Sequence, residues 1–169
     1  MDKHERRALF REHAVAMIRD DQPTASRAHR LIYPDQMIAH TIFVFALFAT
    51  VLIEHFGDEL DRDELSRTMA ALRAERSGFA SLKAEALVRV VYGESQLYVE
   101  IPQAEHGFYM WAVITHLIGP DRTEDHLTEL FGHVDLLAKG FVESVFESSA
   151  LAAFYDGPDP IPSNGSEQR

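Results

Sequence analysis

The sequence predicts an all-α protein: a single-domain bundle of about six helices, with a nearly all-apolar central helix over 35–56 and a long C-terminal helix. Three observations carry this. Apolar residues recur at helical spacing through most of the chain. Gly, Pro and Asp punctuate it at intervals of helical length. The one short alternating stretch, 94–101, has no second strand to pair with. At 169 residues the chain has the size of one domain and should bury roughly 70% of the surface its unfolded form exposes.

Residues 5–19 place Leu9, Phe10, His13, Ala14, Met17 and Ile18 on one side of a first helix. Residues 20–34 read as a connector, because Asp20, Asp21, Pro23, Thr24 and Ser26 break the periodicity, and Pro34 suits the opening of the next helix. That helix, about 35–56, is interrupted only by His40, Thr41 and Thr50 between Met37 and Ile53, and Gly57 stops it. Ile42, Phe43, Val44, Phe45, Leu47 and Phe48 point in every direction around its axis, so it should be the most buried element.

Asp61 and Glu64 open a helix to about Arg76, with Leu65, Met69 and Leu72 inward. Another covers about 80–92, with Leu82, Ala86, Leu87, Val90 and Val91 inward, and ends at Gly93. The 94–101 stretch reads as an extended connector. Pro102 fits the first turn of a helix that ends at Gly119. Asp121 with Glu124 starts the last helix, to about Tyr155, in which Gly132 and Gly140 allow a bend or a close backbone approach. The bundle domain therefore covers 1–155, and the Pro/Gly/Ser-rich stretch 156–169 reads as a disordered tail.

Composition narrows the chemistry. Cysteine is absent, which excludes disulfides, thiolate metal sites and cysteine nucleophiles. A net charge of −11 argues against direct nucleic-acid binding, since that affinity is mostly phosphate neutralisation. From Asp121 onward ten acids face three bases, a surface that repels anionic membranes and could attract a basic partner protein; solubility is the simpler reading. The first ten residues lack the apolar run of a secretory signal. The apolar segment from Met37 to Ile53 reaches ~25 Å as a helix, short of a ~30 Å hydrocarbon core, and acids flank it. A cytoplasmic protein without a membrane span is expected.

Phosphate-loop, dinucleotide, zinc-protease and nucleophile-elbow patterns are all missing, and no Glu has a His three residues later. No catalytic residue, cofactor or metal is therefore expected. The nine histidines are the most suggestive material. His126, Glu129 and His133 share one helix face; the two imidazoles stand ~10.5 Å apart along the axis, so an ion there needs ligands from a second helix. An ordinary solvated face is the plainer reading.

His40 and His116 each interrupt an apolar helix, where an imidazole must satisfy both ring nitrogens. They are either hydrogen-bonded core residues or polar groups of a pocket. Phe43, Phe45, Phe48, Phe108, Tyr109 and Trp111 lie on the same two helices, either packed together or lining a cavity.

Two functions follow as expectations. The first is a non-catalytic interaction or regulatory protein that self-associates or binds a protein partner. The alternative is a binder of an apolar small molecule in the bundle core, with His40 and His116 as polar anchors beside Phe45, Phe48 and Trp111. A His-ligated metal or haem protein stands third. A homodimer is also expected. From Phe108 to Ile118 only Thr115 and His116 are polar, and Leu136 and Phe154 oppose the main apolar stripe of the last helix (Leu127, Leu130, Phe131, Val134, Leu137, Phe141, Val145).

Overall fold

The computed structural model describes residues 1–146, with side chains to residue 140. Among them are seven α-helices and no strand. They are α1 (Lys3–Ile18), α2 (Gln22–Ile32), α3 (Met37–Phe56), α4 (Arg62–Glu75), α5 (Ser81–Val91), α6 (Gln103–Ile118) and α7 (Glu124–Phe146). A 3₁₀ segment, Ser95–Glu100, joins α5 to α6. The all-α class holds; the helix count exceeds the expected six, and the expected tail lies outside the described residues.

Two connectors are in fact helical. Asp21 caps α2 by accepting from Thr24 N at 3.2 Å, and Pro23 sits in the first turn, where its missing N–H leaves nothing unpaired. The residues that looked like breakers are a helix start. The 94–101 stretch curls into the 3₁₀ segment rather than running extended, and only Ile101 at its end is buried. The N-terminus carries a capping box: Glu5 N donates to Asp2 Oδ1 at 2.8 Å, and Asp2 N donates to Glu5 Oε2 at 2.9 Å. Asp61 caps α4 as expected. Helix α7 starts later than expected, with Thr123 Oγ1 accepting from His126 N at 3.3 Å.

Helix α3 is the bundle's axis, packed against α5, α6 and α7. Thirteen of its twenty residues are buried, more than in any other described helix. Phe48, Leu47 and Leu52 are fully enclosed, whereas Phe45 is half-buried and Ile53 is exposed. By length and composition α3 is the one described helix that could cross a membrane, yet most of its apolar surface lies against its neighbours. Its end is fixed twice: Gly57 takes φ +79°, open to glycine, and the Tyr92 hydroxyl donates to Gly57 O at 2.9 Å.

Around this axis α1 and α2 form a hairpin, and α6 touches α1, α3, α4 and α5. That coverage takes up most of α6's apolar surface, and Phe108 is its one strongly exposed large hydrophobic residue. Salt links tie α1 to α7 through Arg11 and Asp135 (2.6 Å) and through Arg19 and Glu124. Two inward assignments fail: Leu82 is 78% exposed, and Leu137 is exposed beside Leu136. Gly132 and Gly140 face open space, so no close backbone approach explains them.

Candidate functional site

A cleft of about 930 Å³ opens between the α1–α2 hairpin, the N-terminal half of α3, the 3₁₀ segment and α6. Its floor is built by spacing. His13 and Met17 are one turn apart on α1, and Met37, His40, Thr41 and Val44 form an i, i+3, i+4, i+7 stripe on α3. One wall is the exposed face of α2, with Gln22, Ser26, His29 and Arg30. The facing wall is Tyr98 with His106, Gly107, Met110 and Trp111 of α6.

His13 and His40 meet at the bottom. Each is 5% exposed, and His40 Nε2 lies 3.1 Å from His13 Nδ1. A hydrogen bond at that distance needs one N–H and one lone pair, so the rings hold opposite roles at the contact. The outer nitrogens, His13 Nε2 and His40 Nδ1, have no partner among the described residues. Whichever tautomer is present, the linked pair offers one donor and one acceptor at its ends.

Neither ring is charged at neutral pH. Burial pushes the His13 imidazole down to about 4, helped by His29 nearby. Burial likewise pushes His40 to about 3, with His13 and then His29 adding to the effect. Aromatic neighbours enclose them: Phe10 meets His40 edge-on at 5.2 Å, and Trp111 meets His13 edge-on at 5.5 Å.

His106 is also 5% exposed. Its Nε2 donates to the Ile101 carbonyl at 2.9 Å, which fixes the tautomer and leaves Nδ1 a lone pair with no partner. Tyr98 lies over that ring, with centroids 4.3 Å apart.

The residues singled out from the sequence separate. His40 and Trp111 line the cleft together. Phe48 is fully buried core packing and does not line the cleft. Phe45 faces another direction, onto an apolar groove of about 390 Å³ formed with Ile42, Ala46, Ala49 and Ile53 of α3, Val90 and Val91 of α5, and Leu137 of α7. His116 is not a pocket group: its Nδ1 lies 3.0 Å from the Glu75 carboxylate, at the α4–α6 surface.

His13, His29 and His106 escaped the sequence reading as site residues. Each is unremarkable on its own helix, and only tertiary packing gathers them. For His13 a signal existed, since it lies on the apolar side of α1 just as His40 interrupts α3.

His126 and His133 both turn to Glu54 of α3, at 3.9 Å and 3.4 Å, rather than to Glu129. Among the described residues no group of three or more His, Asp or Glu is arranged to hold a metal ion. No family model, curated protein or solved structure matches the chain, so its functional reading stands on this geometry.

Proposed function

We propose that the protein is a non-catalytic binding module that takes a small, planar, largely apolar molecule in the histidine-lined cleft. The observation that carries this is the neutral His13–His40 pair at the bottom of a cavity of about 930 Å³. That volume suits a small organic ligand. Uncharged imidazoles fix such a ligand by hydrogen bonds without demanding a counter-charge, and Trp111, Tyr98 and three methionines supply contact area. A cytoplasmic setting accompanies this reading, since α3 spends its apolar surface on the bundle.

Gly107 provides the test. It lies in the cleft wall on α6, and a Cβ placed there meets nothing within 4 Å. Gly107→Phe therefore starts a side chain from open space on the cleft wall and obstructs part of the cleft, and replacing a helical glycine favours the helix by a few tenths of a kcal/mol. Neutral bicyclic aromatics such as 2-quinolinone should raise the melting temperature of the wild-type chain and leave Gly107→Phe unmoved. Equal shifts in both proteins would place binding elsewhere.

The apolar groove favours a second, compatible reading: self-association or docking of a protein partner along α3, α5 and α7. Among the described residues Ile53 and Leu137 there are exposed and Phe45 is half-buried. Light scattering distinguishes a monomer near 19.1 kDa from a dimer, and Ile53→Asp should shift any association toward monomer.

A further inference from the structure

We infer that the cleft's occupant is a planar aromatic carboxylic acid, its ring system against Trp111 and Tyr98 and its carboxylate at Arg30. This rests on the cleft being the binding site proposed above.

Charge distribution selects the acid. The chain carries 27 Asp and Glu against 16 Lys and Arg, yet among the described residues no carboxylate lines the cleft and Arg30 is its only Lys or Arg. One turn earlier on the same helix, Arg27 pairs with Glu12, and on α1 Arg11 pairs with Asp135. Among the described residues Arg30 pairs with no acid, although it stands exposed on an acidic protein. A cationic ligand would find no counter-charge in this cleft, whereas an anion finds a guanidinium whose planar fork matches a carboxylate.

The depth profile selects where the charge sits. The bottom of the cleft holds two neutral imidazoles in apolar surroundings, an environment that penalises an ionised group. The carboxylate therefore stays on the α2 wall, where Gln22, Ser26 and Arg30 follow one another at four-residue spacing. The ring walls select planarity. His13 and Trp111 pack edge-on at 5.5 Å and Tyr98 covers His106 at 4.3 Å, so an aromatic body adds to an existing set of ring contacts, which a flexible aliphatic chain cannot do.

Calorimetry on the full chain with three probes tests this: trans-cinnamate, its neutral isostere cinnamamide, and decanoate. Wild type should bind cinnamate about fivefold more tightly than cinnamamide, the size expected of a part-exposed charge pair, and decanoate more weakly than cinnamate. Arg30→Gln, a surface change, should keep its melting temperature, bind cinnamamide as before and lose the preference for the acid. Equal affinity for acid and amide in wild type, a preference that survives in Arg30→Gln, or tighter binding of decanoate overturns the aromatic-acid assignment while leaving the cleft as the site. Absence of heat with all three probes overturns the assignment and the cleft reading together.

Discussion

Helix α3 borders two concave surfaces among the described residues, and they are chemical opposites. On its N-terminal half Met37, His40, Thr41 and Val44 floor a cleft walled by imidazoles, an indole and an arginine. On the other side Ile42, Phe45, Ala46, Ala49 and Ile53 floor a groove whose remaining lining is Val90, Val91 and Leu137. At ~100° per residue the two stripes point in nearly opposite directions. The cleft offers discrete donors and acceptors and can select a ligand by its polar pattern. The groove offers area alone, which suits any apolar surface that fits. A single apolar helix thus carries a selective face and an adhesive one, and the difference lies in what α1, α2 and α6 bring opposite the first and α5 and α7 opposite the second.

The largest expected effect belongs to the cleft's imidazoles. Folded His13 and His40 stay neutral until about pH 4 and 3, whereas in the unfolded chain both protonate near 6.5. Below pH 6.5 the unfolded state takes up protons that the folded state refuses. Stability is therefore full above pH 6.5, falls as pH drops, and levels off once the folded rings titrate. The loss is about 3 kcal/mol for His13 and about 5 kcal/mol for His40. Urea unfolding of wild type and of His13→Gln/His40→Leu should show a steep fall between pH 6.5 and 4 in the first and a shallower one in the second. Parallel curves would mean that the two rings are not the buried neutral pair that separates this face from the groove.

Core and groove aromatics on α3 should differ next. Phe48 is fully enclosed, so Phe48→Ala should cost ~3–5 kcal/mol. Phe45 is half-buried at the groove, and Phe45→Ala should cost about half as much. Equal costs in urea unfolding would show that the groove is covered in solution and sharpen the case for a partner seated there. The smallest effect is Ile53→Asp, expected to cost about 1 kcal/mol because Ile53 is 41% exposed and the new acid stands in the last turn of α3. A large destabilisation would have the same meaning as equal Phe costs.

Much of the fold was legible and much of the site was not, for one physical reason. Local signals such as the Asp61 cap, the Gly57 stop and the unbroken apolar run of α3 act within a few residues, so the sequence displays them directly. Helix α2 was hidden because Asp21 and Pro23 serve turns and helix starts alike, and only their position relative to Thr24 separates the two. His40 was legible as an anchor because an imidazole in an apolar run has to satisfy its nitrogens. His116 satisfied the same criterion and failed, since Glu75 of another helix reaches it at the surface. The cleft needs α1, α2, α3, α6 and the 3₁₀ segment together, and no periodicity within one element records that meeting. Two expected partners illustrate the same point: Phe45 and Phe48 share a helix with His40, but the helical turn sends one to the groove and the other to the core.

Methyl-resolved NMR tests the division of α3 most directly, because the two faces carry different reporters. Met17, Met37 and Met110 line the cleft, while Ile42, Ile53, Val90 and Val91 line the groove. Titration with 2-quinolinone should shift the three methionine methyl signals progressively and leave the isoleucine and valine signals of the groove in place. Shifts that begin at Ile42, Ile53 and Val90 while the methionines stay still would contradict the account, since the adhesive face would then be the ligand site.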